Sequence, residues 1–276
     1  MCPPTHYGIH YEINPWMSKA RQADYALANK QWANLCAILN STGATISEVS
    51  PVEGLPDLVF TANAALIYGK RAVLAHFKHP QRQGEEPHYQ KWLETNGWQV
   101  SHSPRNMFFE GAGDALFCGD TLYAGYRMRS DARGHQEIGE MLGVRTLPME
   151  LTDPYYYHLD TCFCPLAPGE AIYFPPAFDE YGRKVLTETI PHLHVVAEEE
   201  ARSFACNAVV VGRTVVTNTG CPDLHRLLKT LGYNPVETPL SEFVKAGGSA
   251  KCLTLRLDGE EAAEWAASLN TNGSSR

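Results

Sequence analysis

The sequence predicts an α/β fold of five similar units, each a strand, a hairpin and a helix, closed around a pseudo-fivefold axis. Three observations carry this prediction. The same grammar of helix, glycine turn, short apolar strand and hairpin recurs along the chain. Each recurrence opens its hairpin with a polar or reactive residue, Asp57, Asp114, Asp160, Asn207 and Cys252, at spacings of 57, 46, 47 and 45 residues. Such a period marks units that bury their apolar faces only by packing on their neighbours. Finally, no linker or break in composition divides the 276 residues, so one domain is expected over 1–269, with a loose polar tail at 270–276. In a closed ring the five strand starts point at a common axis, where carboxylates and a cysteine would meet. Ordinary strand-edge caps in an α+β sheet are the alternative, because Asp and Asn favour turns in any fold.

The elements follow in order. A turn rich in aromatics, 11–17, carries Asn14. Apolar residues at 25, 28, 32, 35, 36 and 39 form a helical stripe over 22–39, closed at Gly43 and followed by a short strand at 45–49. A hairpin is expected from 58–67 with 72–77, then a helix near 88–95 and a strand at 98–102. The second hairpin is read over 114–124, with a helix at 135–142 and a strand at 144–147. The third pairs 160–163 with 171–174, ahead of a helix at 180–189 and a strand at 194–197. The fourth turns at Gly212-Arg213 between 207–211 and 214–217, and leads to a helix at 224–231 and a strand at 235–237. A fifth strand begins at Cys252, and a helix over 260–269 would complete the first unit.

Composition narrows the function. The chain has 23 Lys and Arg against 31 Asp and Glu, a net charge of −8, and no basic run. A nucleic-acid or anionic-membrane partner is therefore not expected, and a small polar or cationic substrate suits the balance better. No stretch approaches the roughly 18 apolar residues of a membrane span, and no signal peptide opens the sequence, so a cytoplasmic protein is expected. The eight cysteines show neither CxxC pairs nor zinc spacing, and most are read as reduced packing residues. No metal site and no cofactor is expected, although His192 and His194 alternate on one strand face. A homo-oligomer is compatible with this reading.

Three stretches can carry chemistry. In Gly247-Gly248-Ser249-Ala250-Lys251-Cys252, small residues deliver a cysteine beside a lysine; nearby positive charge lowers a thiol pKa, so Cys252 is the candidate nucleophile. In Tyr157-His158-Leu159-Asp160, a histidine two residues before a carboxylate shares its face on an extended strand. A cysteine nucleophile needs such a proton shuttle. In Phe109-Glu110-Gly111-Ala112-Gly113-Asp114, flexible glycines would deliver Glu110 to a pocket. Each stretch also has an ordinary structural reading, as a buried thiol, a satisfied core histidine or a turn glutamate.

Together with Pro56-Asp57-Leu58-Val59-Phe60-Thr61-Ala62-Asn63, these stretches resemble, in order along nearly the whole chain, the guanidine-modifying enzymes. That superfamily contains arginine deiminase, dimethylarginine dimethylaminohydrolase, the amidinotransferases and the cyanobacterial-type arginine dihydrolase. The resemblance implies a five-bladed α/β propeller, the pentein fold. It also implies that Cys252 attacks the guanidinium carbon while His158 acts as acid and then base. Glu110 would hold His158 or a substrate nitrogen, and Asp160 and Asp57 would supply negative charge around the guanidinium. Arg82 and Arg129 match positions that bind the α-carboxylate, a task suited to paired guanidinium hydrogen bonds. Asn14 and the carbonyl of Ala246 match further substrate contacts.

Asn63 distinguishes members of the family. Deiminases and dimethylarginine hydrolases are similar in placing an aspartate there, whereas this chain resembles the dihydrolases in its amide. An aspartate accepts only; an asparagine can also donate to the oxygen of a ureido group and retain it for a second attack. The resemblance therefore implies an arginine dihydrolase that forms ornithine, carbon dioxide and two ammonia. A single-step hydrolase of arginine or methylated arginine that stops at citrulline, and a noncatalytic binding protein on the same fold, are the alternatives. Dihydrolase relatives are sometimes fused to a second domain that consumes ornithine.

Overall fold

A computed structural model describes residues 1–104 and 106–273. Four three-stranded sheets form its frame, and all four share one topology. In the first, β1 (Ala65–Tyr68) pairs antiparallel with β2 (Arg71–Leu74), which pairs parallel with β3 (Gln99–His102). The second repeats this with β4 (Ala115–Cys118), β5 (Thr121–Tyr126) and β6 (Arg145–Glu150). The third uses β7 (Phe163–Ala167), β8 (Glu170–Tyr173) and β9 (His192–Val195), and the fourth β10 (Val209–Val211), β11 (Thr214–Asn218) and β12 (Asn234–Thr238). A tight turn joins each hairpin, and each parallel crossover passes through a helix, as parallel pairing requires.

The major helices agree closely with the apolar stripes. They are α1 (Tyr25–Ser41), α2 (Glu86–Thr95), α3 (Ala132–Leu142), α4 (Glu180–Thr189), α5 (Pro222–Thr230) and α6 (Glu264–Gly273). Asp24 caps α1 by accepting from the Leu27 N–H, and Asp179 caps α4 by accepting from Gly182. The polar tail expected at 270–276 is helical as far as Gly273, and 274–276 lie outside the described residues. Instead of belonging to the first unit alone, α6 is anchored to the second as well. Glu264 N donates to Gly119 O, and Trp265 packs against Tyr68 and Phe117.

The fifth unit departs from the expectation. Cys252 stands in a turn rather than at the head of a strand, because Thr254 N donates back to Lys251 O and Leu253 N to Ser249 O. Neither 45–49 nor 253–257 is a strand; both line an open groove of about 510 Å³, and 45–49 bonds instead to the first residue, Val49 N donating to Met1 O and the Met1 ammonium to Ser47 O. The strand starts are also tighter than expected. Residues 56–64 fold into two 3₁₀ turns, Pro56–Val59 and Thr61–Ala64, before β1 begins. Consequently Asn63, not Asp57, stands two residues before β1, as Asn207 stands two before β10. This explains why the first spacing was the longest. Among the described residues no helix is long and apolar enough to cross a membrane.

Candidate functional site

Short turns lead into the first strand of each sheet, and these turns carry the polar residues. Glu110 leads into the helical turn Gly111–Asp114, His158 into the 3₁₀ turn Leu159–Thr161, and both side chains are buried. The expected strand face shared by His158 and Asp160 does not exist. Thr161 Oγ donates to His158 O and closes the turn, so the two side chains diverge toward different partners. His158 Nε2 lies 2.7 Å from Glu110 Oε2, whereas Asp160 Oδ2 accepts from Cys252 Sγ at 3.4 Å. Tyr157 ties the histidine to the cysteine loop, because its hydroxyl donates to Gly247 O at 2.7 Å.

Two glycines permit this packing. A Cβ on Gly113 would stand 2.1 Å from Asn63 Nδ2 and 3.5 Å from His158 Cγ, and one on Gly248 would stand 2.4 Å from the Phe60 ring. Only hydrogen leaves room for the Asn63 amide beneath the imidazole, or for the cysteine loop against Phe60.

A narrow cleft with a cavity volume of only about 10 Å³ collects Asn14, Asp57, Asn63, Arg82, Arg129, Ala246 and Cys252. Most of its polar groups are already paired, with one another or with residues beside the cleft. Asn14 Nδ2 donates to Ala246 O at 3.0 Å. Arg82 grips Glu85 through two nitrogens at 2.8 Å and donates from Nη1 to Asn63 Oδ1, also at 2.8 Å. Arg129 donates to Glu110 Oε2 and Ile13 O and lies 4.6 Å over the Tyr157 ring. Asn63 Nδ2 reaches only the Glu110 carbonyl, at 3.5 Å. Two buried carboxylate oxygens, Asp57 Oδ1 and Asp160 Oδ1, have no hydrogen-bond partner.

Burial dominates the electrostatics. It pushes the Cys252 thiol well above its ordinary value, and the neighbouring Asp160 carboxylate adds to this. Lys251 does not supply the thiolate-favouring contact expected from sequence, because its ammonium is held by Glu260 at 2.5 Å. Burial also lowers the His158 pKa to about 4, against the pull of Glu110. The Glu110 carboxyl is held below the usual range by Arg129 and the His158 hydrogen bond, which outweigh its desolvation. Asp160 is raised to about 7 by burial, with Lys251 opposing. At neutral pH these shifts favour a protonated sulfur, a neutral imidazole and an ionised Glu110.

Sequence reasoning left two structural parts of the site without a role. Asp114 accepts from Ser130 Oγ at 2.6 Å and from Leu159 N, and Ser130 Oγ accepts from Glu110 N, which braces the acid wall from below. Asn207 touches the sulfur itself, with Nδ2 3.1 Å from Cys252 Sγ. Its position at a repeated strand start was the available signal. His194 meets Glu170 at 3.3 Å.

Among known proteins, the N(G),N(G)-dimethylarginine dimethylaminohydrolase of Mycobacterium tuberculosis is 38% identical over 257 residues, covering 93% of this chain and 84% of that protein. The chain belongs to the guanidine-modifying, or pentein, family. A second pentein relative, the bifunctional arginine dihydrolase/ornithine cyclodeaminase ArgZ of Synechocystis sp., is 45% identical over 262 residues and 93% of this chain. The chain spans only 37% of that bifunctional protein. The solved N-terminal domain of ArgZ, covalently bound to a reaction intermediate, superposes with a TM-score of 0.90 at 45% identity, covering 93% of this chain and 96% of that one. No family model matches the sequence.

Proposed function

We propose that this chain is a hydrolase of guanidino C–N bonds, an arginine dihydrolase that converts L-arginine to L-ornithine, carbon dioxide and two ammonia. One observation supports the reading above all. Asp57 and Asp160 are buried carboxyls with few partners, one lining the cysteine's cleft beside the Tyr11 hydroxyl and the other hydrogen bonded to the cysteine sulfur. Burial raises the pKa of both, so a bound cation favours their ionised form, and a planar guanidinium supplies both charge and several donors.

A bound guanidinium favours ionisation of Cys252. The thiol proton passes to His158, where ionised Glu110 holds the imidazolium. Sγ attacks the guanidinium carbon, His158 returns the proton to the departing nitrogen, and ammonia leaves a thiouronium adduct. Neutral His158 then takes a proton from water, hydroxide attacks the same carbon, and the C–S bond breaks to give a bound ureido group. Asn63 supports a second round, because Arg82 occupies its Oδ1 and leaves Nδ2 to donate to the ureido oxygen. Renewed thiol attack expels the second ammonia and leaves a thiocarbamate; water attacks its carbonyl, the C–S bond breaks to return the thiol, and the carbamic acid so formed loses carbon dioxide from its nitrogen to free ornithine. Arg82 and Arg129 take the α-carboxylate, and Asn14 with the Ala246 carbonyl takes the α-ammonium. One domain in the form of a five-bladed propeller fits this reading, with the non-strand segments 45–49 and 253–257 belonging to its fifth blade.

Acid quenching during turnover, followed by mass spectrometry, should find an arginine-derived adduct on the Cys252 peptide, and C252S should lose it. An adduct on another cysteine, or turnover by C252S, would refute the scheme. A single-step hydrolysis of methylated arginine is the second reading, favoured by the 38% identity to a dimethylarginine dimethylaminohydrolase.

A further inference from the structure

We propose that Asn207 is the positioning residue of the nucleophile, a buried amide that fixes the Ser249–Cys252 loop and aims one N–H at the Cys252 sulfur. The inference rests on reading Cys252 as the nucleophile.

The amide uses all of its hydrogen-bonding capacity on this loop and its neighbour. Oδ1 accepts from Ser249 N and from Cys252 N, both at 3.1 Å. Nδ2 donates to Asp160 O at 3.0 Å and to Cys252 Sγ at 3.1 Å. The Asn207 backbone carbonyl adds a further tie by accepting from Lys251 N at 3.2 Å. An asparagine offers two donors and two acceptor lone pairs, so one side chain satisfies four groups here. The residue is fully buried, and water does not compete for these bonds.

The position explains why an amide is needed. Sγ lies within hydrogen-bond reach of two side chains, Asn207 Nδ2 at 3.1 Å and Asp160 Oδ2 at 3.4 Å. While the sulfur holds its proton, it donates to Asp160 and accepts from Asn207. Once ionised, it repels Asp160, whereas the amide N–H becomes a charge-assisted donor to the anion. The strand-start residues Asp114 and Asp160 of two other units are carboxylates. A carboxylate at 207 would retain the two acceptor bonds to the loop and place a second negative charge against the sulfur. Asn207 thus combines the geometry of its repeat with a neutral donor where charge develops.

N207D separates these roles once its carboxyl is ionised, because it can then still accept from Ser249 and Cys252 but cannot donate to sulfur. It should fold and retain KM for arginine within about twofold while kcat falls roughly 10- to 100-fold. Alkylation of Cys252 by iodoacetamide, followed by mass spectrometry of its peptide, should slow about tenfold at pH 8 and shift its pH profile upward. N207S, smaller and still able to donate, should fall between N207D and the wild type in both readouts. Unchanged kcat and alkylation in N207D, or a loss confined to KM, would overturn the proposal. Failure of both variants to fold, judged by circular dichroism, would overturn it too by assigning Asn207 to structure alone. C252S measured alongside keeps the two ideas apart: turnover without Cys252 defeats the nucleophile reading whatever Asn207 does.

Discussion

Asp160 shows how one side chain sets the resting state of the site. Burial raises its pKa from 3.8 to about 7. Between those values the folded chain holds a proton that the unfolded chain has released, so this residue lowers stability as pH rises from about 4 to 7. D160N removes that dependence. Its melting temperature should gain on the wild type as pH increases across this window, by differential scanning fluorimetry without ligand, while turnover is lost. A constant difference across pH would show that Asp160 is not the titrating group. The amide at 63 makes the complementary prediction about chemistry. N63D should still accept from Arg82 but cannot donate to a ureido oxygen, so released citrulline should replace ornithine as the main product. Continued release of ornithine alone would remove Asn63 from the second round.

At the scale of elements, the decisive features are short turns rather than long strands. Gly248 illustrates the tolerance: a methyl there would meet Phe60, whose ring is already packed edge-on against Tyr7 and Phe243. Gly248→Ala should therefore cost about 1–3 kcal/mol in chemical denaturation, the usual range for an overpacked core. It should also displace the cysteine loop and reduce turnover. Sequence periodicity found all the major helices because their apolar stripes are local. It placed Cys252 and Asp160 on strands because alternation cannot register the backbone bonds that curl 249–254 and 159–161 into turns. The lysine beside Cys252 was equally misleading. Adjacency in sequence says nothing of Glu260, which lies nine residues further along the chain and takes the ammonium.

At the scale of the molecule, four sheets repeat one topology and deliver Asn63, Glu110, Asp160 and Asn207 from the turns that lead into their first strands. The repeat was legible because polar residues recur before each hairpin. The groove between 45–47 and 255–258 was not, since apolar sequence alone cannot tell a paired strand from an extended segment. What the assembly holds together is an ionised glutamate, a neutral histidine, a protonated thiol and unpaired carboxylate oxygens. On the proposed reading that combination receives a cation with a reactive carbon. The most direct measurement is to incubate the purified protein with L-arginine alone and quantify ornithine, citrulline and ammonia over time. Ornithine with about two ammonia per arginine consumed, the yield of a thiol that attacks twice, and little free citrulline, is the result predicted. Citrulline with one ammonia, or no consumption of arginine at all, would contradict the dihydrolase reading.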